Sequence, residues 1–208
     1  MRCSLTALVT GCLTVTFALA DEHLEPCHDH LAEYESRVEA LSRAAMPGEV
    51  EFVVTVIPSF QPEWSVGVSA DNGHFFLTHV AFQPSLWGSS LVQTGPNTFG
   101  YDFQKPHVQT TAKTENISAE LHKALRSEWD RSIAAARPSE RIGLDGVTFN
   151  FQLSGRCGSA WSPDPETRNG KLIDLVMALA LFADSKKDPS HSSGEVVVLR
   201  KLEALPPP

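Results

Sequence analysis

The spacing of apolar residues changes several times along the chain, and this limits the fold class more than any other feature. In residues 28–46 apolar side chains recur three and four positions apart, the pattern of a helix with one buried face. Over residues 49–115 Val, Phe, Thr and Trp are frequent between turn residues, which is typical of antiparallel strands. Helical patterns return at 117–137 and 171–184. The sequence predicts an α+β fold, with an antiparallel sheet of about five to six strands packed with three to four helices.

Several segments have the composition and alternation of β-strands. Strands are predicted at residues 49–57, 63–70, 74–82, 85–93, 98–104, 108–114 and 147–153. Asp71, Asn72 and Gly73 form a tight-turn signal, so the second and third of these strands should pair as a hairpin. Pro106 interrupts the pattern before residue 108, and a Pro at such a point favours an edge position for the strand that follows.

The C-terminal third is predicted to be a loop, a buried helix and a less certain last element. Residues 154–170 have the composition of a loop. The helix at 171–184 is apolar on nearly every side, so it should lie in the centre of the domain. In residues 195–205 the consecutive Val residues favour a strand. The capping-box spacing of Ser192 and Glu195 favours a helix instead, which is the preferred interpretation.

The first twenty residues have the three parts of a secretory signal. Arg2 is the only charge, an apolar run covers residues 5–19, and residues 18–20 (Ala-Leu-Ala) match the small-x-small pattern of signal peptidase sites. The run is shorter than the roughly 20 apolar residues of a membrane-spanning helix, and an acidic flank follows it. We therefore expect residues 1–20 to be removed. A lipobox at residues 9–12, in which Cys12 would be lipidated, is the alternative.

The remaining chain is predicted to be one globular α+β domain over residues 21–205. Its compartment would be periplasmic or secreted, with no membrane insertion after signal cleavage. The sequence has 17 basic and 25 acidic residues and no basic run, so nucleic acid is not an expected partner.

Two cysteines, Cys27 and Cys157, remain after signal removal. In an oxidising compartment two such cysteines most often pair, which predicts one disulfide between them. Two separate thiols are the alternative. Both residues fall in segments that the sequence assigns to loops.

The predicted mature N-terminus is a candidate metal site. If Asp21 is the first residue, its amine, two backbone amides and the imidazole of His23 offer four nitrogens, a set that suits Cu(II) or Ni(II). The alternative is a frayed polar terminus with incidental histidines.

One segment resembles a pattern in uncharacterised exported bacterial proteins. The pattern is a D-G-x-x-aromatic strand, a glycine-containing loop, a W-S-P tripeptide and an apolar helix. The matching residues are Asp145, Gly146, Phe149, Gly158, Trp161, Ser162, Pro163 and Leu172. The resemblance implies bacterial export and an α+β domain, and it implies no activity.

No complete catalytic or cofactor motif occurs in the sequence, so no cofactor is predicted. The preferred hypothesis is a non-enzymatic binding protein of the inhibitor or immunity type, whose partner is another exported protein. Its candidate surface residues are Trp64, Trp87, Arg156, Trp161 and Arg168. Core packing is the alternative role for each Trp. The alternative functions are N-terminal Cu or Ni binding and a hydrolase with polar groups beside Cys157 or His107.

Overall fold

A seven-stranded antiparallel sheet forms the middle layer of the protein. The computed structural model describes residues 22–27, 31–104, 107–139, 145–185 and 191–208. The strands are β1 (Glu25–Pro26), β2 (Glu49–Pro58), β3 (Trp64–Asp71), β4 (His74–Gln83), β5 (Leu91–Gly95), β6 (Thr98–Tyr101), β7 (Gln109–Ile117), β8 (Val147–Leu153) and β9 (Arg156–Trp161). The order in the large sheet is β1-β9-β8-β2-β3-β4-β7, and β5 pairs with β6 in a separate ribbon.

Helices cover both faces of this sheet. They are α1 (Ala32–Ala44), α2 (Leu86–Ser89), α3 (Ala119–Ala134), α4 (Arg168–Asp184) and α5 (His191–Glu203). The core on one face joins sheet residues such as Phe52 and Phe151 to α3, α4 and α5. A second core on the other face joins Val53 and Val80 to α1 and α2. The α+β prediction is confirmed, and the large sheet has one strand more than the upper expectation.

Two hairpins of the sheet turn through residues with positive φ. Asn72 and Gly73 have φ of 49° and 80°, and they join β3 to β4 as predicted. Ser154 and Gly155 have φ of 50° and 76°, and they join β8 to β9 in the same way. Two successive residues with positive φ match the right-handed twist of paired strands. The prediction of a loop over residues 154–170 is therefore wrong at its start, where β9 lies.

The segment 85–93, predicted as a strand, begins as the short helix α2. The Ser85 hydroxyl accepts a hydrogen bond from the Gly88 amide at 3.4 Å and so caps the first turn. Only after Ser90 does the chain become extended, in β5, and that strand pairs with β6 alone. The local cap thus overrides the β-propensity of the segment.

The last two helices differ in how well the sequence predicted them. In α4, Leu172, Leu175 and Leu179 are buried, but the prediction of a wholly buried helix is wrong, since Met177 and Leu181 are 45% and 70% exposed. The preferred helix near the C-terminus is confirmed as α5. There the apolar residues contact the core at helical spacing, and Val198 is only 1% exposed.

The disulfide between Cys27 and Cys157 is confirmed, with the two Cα atoms 5.6 Å apart. Its setting differs from the expectation, because Cys157 lies in strand β9 and not in a loop. Cys27 follows β1 directly, and β1 pairs with β9 through Glu25 and Pro26. Strand pairing therefore brings the two sulfur atoms together.

Candidate functional site

The strongest candidate site is an open apolar cleft around Trp64, between α4 and one end of the sheet. It consists of two adjoining hollows of about 280 Å³ and 350 Å³, which share Trp64 and Met177. We call this pair of hollows the Trp64 cleft. Its lining residues are Val56, Pro58, Ser59, Phe60, Gln61, Pro62, Glu63, Trp64, His79, Ala81, Phe82, Gly146, Val147, Phe149, Met177, Ala180, Leu181 and Asp184.

The turn between β2 and β3 forms one wall of the cleft and is fixed to the start of β8. The Ser59 amide donates a hydrogen bond to the Gly146 carbonyl at 2.9 Å, and the Gly146 amide donates to the Ser59 hydroxyl at the same distance. A reciprocal pair of this kind orders a loop whose side chains are mostly in solvent. Phe60, in the middle of this turn, is 84% exposed and still lines the cleft.

The buried carboxylate of Glu63 holds the end of the same turn in place through hydrogen bonds. Glu63 is 1% exposed and accepts hydrogen bonds from the Tyr34 hydroxyl, the Ser85 hydroxyl at 3.0 Å and the backbone amides of Leu86 and Trp87 at 2.8 and 3.1 Å. Four donors compensate the loss of hydration that burial imposes on this side chain. Burial and the neighbouring Glu63 raise the pKa of Tyr34 well above its usual value, so its hydroxyl stays a donor.

One end of the cleft is polar. His79 Nδ1 and Asp184 Oδ1 are 2.8 Å apart, and Lys113 Nζ is 3.4 Å from the same Asp184 oxygen. Partial burial by itself would raise the pKa of Asp184, but the hydrogen bonds and charges of His79 and Lys113 outweigh it and hold that pKa below its usual value. The rings of Trp64 and His79 are nearly perpendicular, with a centroid distance of 5.5 Å, so this polar group borders the apolar lining directly.

The rim of the cleft exposes apolar side chains from two separate elements. Met177 and Leu181 lie four residues apart on the same side of α4, and Met177 lines the same hollow as Phe60 of the β2–β3 turn. Single exposed apolar residues are ordinary, but several grouped around an apolar hollow are typical of a binding surface.

The structure does not bring the five predicted surface residues together. Trp64 lines the cleft, whereas Trp87 lies in an aromatic cluster on the other face of the sheet, 5.1 Å from Tyr34 between ring centroids. Arg156 is exposed at the start of β9 and pairs with Asp130. Trp161, at the end of β9, is half-buried and does not line the cleft.

The prediction that Arg168 is a surface residue is wrong, since it is 1% exposed. Its Nη2 donates to Glu128 at 2.6 Å and to Ser132 at 3.0 Å, and its Nε donates to the Pro206 carbonyl at 3.0 Å. Burial lowers the pKa of Arg168, and the nearby Glu128 opposes that shift. The side chain therefore joins α4, α3 and the C-terminal residues inside the core.

The candidate metal site cannot be assembled from the described residues, because Asp21 lies outside them. His23 is described, and its carbonyl accepts a hydrogen bond from Asn169 at 2.7 Å. Within the described ranges no three His, Cys, Asp or Glu side chains are grouped as metal ligands. N-terminal copper or nickel binding stays a prediction.

The hydrolase alternative expects polar groups beside Cys157 or His107, and neither residue lines the Trp64 cleft. The Cys157 sulfur is in the disulfide and is not a free nucleophile. His107 is exposed beyond the β5–β6 ribbon, and it does not line the Trp64 cleft.

Of the residues that line the cleft, only Trp64 was predicted from the sequence. A signal existed for Met177 and Leu181, because a helix packed against a sheet on one side cannot bury apolar residues on every side. Phe60 stood as an aromatic residue between two prolines in a turn. No local signal links His79 to Asp184, which lie 105 positions apart and meet only where α4 crosses β4.

None of the helices in the described part of the chain is both long enough and apolar enough to cross a membrane. No protein-family model matches the chain, and comparisons with curated proteins and with solved structures find no match either.

Proposed function

We propose that this chain is an exported, non-enzymatic binding protein that captures an apolar segment of another exported protein in the Trp64 cleft. The observation that carries the proposal is the exposed apolar rim of Phe60, Met177 and Leu181 around an open hollow. Trp is among the residues most enriched at the energetic hot spots of protein interfaces, where surrounding contacts exclude water.

Export is the second part of the proposal, and two features support it. Residues 1–20 have the pattern of a cleavable signal. The disulfide between Cys27 and Cys157 is of a kind that persists in oxidising compartments such as the periplasm or the extracellular space. A partner met by this protein would therefore be exported as well.

The shape of the cleft favours a protein segment over a buried small molecule. Each hollow has room for one or two large apolar side chains, and both are open to solvent along α4. The anchoring of the β2–β3 turn through Ser59 and Glu63 holds this wall in place before binding, which reduces the entropy lost on association.

A photo-crosslinking amino acid at position 181, in protein exported by its native route, tests the proposal. We expect a defined adduct with one exported protein, identified by mass spectrometry. The matched control is the same amino acid at position 196, because Val196 is also an exposed apolar helical residue but lies on α5.

Binding of the captured protein should then depend on the rim. Because burial of a Met or Leu side chain contributes about 1.5–3 kcal/mol, Met177→Glu and Leu181→Glu should each weaken binding roughly tenfold or more, while Val196→Glu leaves it unchanged. An adduct confined to a lipid or another small molecule, or unchanged affinity of Met177→Glu, would overturn the proposal.

A further inference from the structure

The large sheet ends on one side in a long strand, β7, whose outer edge pairs with no other strand among the described residues. β7 pairs with β4 in an unbroken register from Phe75 opposite Ile117 to Gln83 opposite Gln109. No bulge and no Pro interrupts its nine residues, and all of them except Glu115 and Ile117 are exposed. The outer edge of such a strand presents a row of backbone N–H and C=O groups that can pair with another strand.

The opposite end of the same sheet is protected. There the outermost strand is β1, which has two residues, one of them Pro26. Short edge strands and Pro residues are two of the means by which proteins prevent strand pairing at an edge. The β7 edge has neither, and its only exposed charge between positions 109 and 114 is Lys113.

We propose that β7 pairs antiparallel with β7 of a second copy of this chain, with Ala112 opposite Ala112 at a twofold axis. A twofold axis that relates two antiparallel strands of one continuous sheet is perpendicular to that sheet. As a consequence, α3 and α4 of both copies lie on the same side of the sheet. Residues directly opposite each other in the two copies of β7 then have side chains on the same face of the sheet. One residue of β7 must therefore lie opposite the same residue of the second copy, next to the twofold axis.

Charge and burial select the register. Centring the pair on Lys113 would place two like charges opposite each other, which is destabilising. Centring it on Thr114 would bring the buried Ile117 and the start of α3 to the interface. Centring it on Thr111 would leave fewer paired residues within β7. Centring it on Ala112 avoids all three problems.

In the Ala112-centred register the exposed residues of β7 complement each other. Thr110 lies opposite Thr114, a hydroxyl pair that is favourable across strands. Thr111 lies opposite Lys113, whose charge is already partly balanced by Asp184 of its own copy at 3.4 Å. This self-complementarity is the reason to assign a second copy, and not a foreign strand, to the edge.

Two charge variants at one exposed position test the register. In the mature protein, Thr111→Lys creates two Lys–Lys pairs across the interface, because position 111 of each copy lies opposite Lys113 of the other. This variant should weaken dimerisation roughly three- to tenfold, whereas Thr111→Glu should strengthen it by a similar factor. Sedimentation velocity over a wide concentration range gives the dimer dissociation constant. The thermal midpoints of the two variants, extrapolated to low concentration, should match that of the wild type.

A covalent probe gives an independent measurement. Residues directly opposite in an antiparallel pair have Cα atoms about 4.5–5.5 Å apart, within the range that a disulfide spans. Ala112→Cys should therefore form an intermolecular disulfide on mild oxidation, seen on a non-reducing gel. Thr110→Cys, which faces Thr114, is the matched control and should form much less.

Three results would overturn the proposal. The first is a monomer for wild type and Thr111→Glu at every concentration. The second is a dimer whose affinity moves in the same direction in both Thr111 variants. The third is a dimer that Val196→Lys disrupts and Thr111→Lys does not, which would assign the contact to α5. These outcomes leave the Trp64 cleft untouched, so each proposal can fail separately.

Discussion

Replacing Cys27 with Ser should lower the free energy of unfolding by several kcal/mol without dismantling the fold. The disulfide joins residues 130 positions apart. In the chain-entropy model, closing a loop of this length restricts the unfolded state by about 5 kcal/mol at 25 °C, and losses on removing natural disulfides are about 2–5 kcal/mol. That is a large fraction of the roughly 5–15 kcal/mol stability of a typical domain.

The folded state should keep its N-terminal segment in place without the bridge. Leu24 is fully buried, and its carbonyl accepts a hydrogen bond from the Arg137 amide at 2.8 Å. Pro26 stays opposite Gly158, and the His23 carbonyl stays bonded to Asn169. The loss of stability should therefore come chiefly from the unfolded state, which gains conformational freedom.

Urea denaturation of Cys27→Ser, Cys157→Ser and the double variant measures the effect. All three should lose the same free energy, because each opens the same loop, and reduced wild-type protein should lose about as much. Hydrogen exchange should remain slow at the amides of Ser159 and Gly158, the β9 residues opposite Glu25 and Pro26, as expected of a folded segment. Losses below about 1 kcal/mol, or unequal losses in the two single variants, would refute the loop-closure argument.

Other predictions concern the buried polar groups. Glu128→Gln should lower the free energy of unfolding in chemical denaturation by about 3–5 kcal/mol, because it leaves Arg168 charged and buried. Replacing both residues with Met should recover much of this loss. A Glu128→Gln variant as stable as the wild type would contradict the burial of the pair. The lowered pKa of Asp184 means that its carboxylate stabilises the fold fully above about pH 4 and loses this effect as the pH falls further. Asp184→Asn should therefore have a lower thermal midpoint than the wild type near neutral pH, which corresponds to a loss of about 1 kcal/mol or less in the free energy of unfolding. In acid the two midpoints should converge. Tyr34→Phe removes one of the four donors to Glu63 and should cost about 1–3 kcal/mol in urea denaturation, and no loss would argue against that hydrogen bond.

Local patterns in the sequence were sufficient for several elements. The stripe of Leu121, Leu125, Trp129 and Ile133 predicted α3, because the period of a helix is set by its own backbone. Asn72 and Gly73 predicted the β3–β4 hairpin, because few residues accept positive φ at low cost. Ser154 and Gly155 form a similar turn, but the prediction of a loop over residues 154–170 did not include β9.

Burial was harder to predict than secondary structure. Arg168 carries a full charge, which argues for the surface, yet Glu128 and Ser132 compensate that charge in the core. Conversely, the apolar composition of α4 predicted full burial, but the sheet covers only one side of the helix and leaves Leu181 in solvent. Burial depends on what a neighbouring element offers, and a single segment does not contain that information.

The sequence by itself determined the α+β class, most of the helices and strands, and the pairing of Cys27 with Cys157. These follow from backbone periodicity, from turn geometry and from the two cysteines that lie outside the predicted signal. Only the tertiary structure decided the Trp64 cleft and the open β7 edge. The cleft is made of residues from β2 to α4 that are more than a hundred positions apart. The edge exists because, in the part of the chain that the structure describes, β7 pairs with β4 on one side and with no strand on the other. Both features depend on contacts between distant segments, whose free energies appear only when the whole chain has folded.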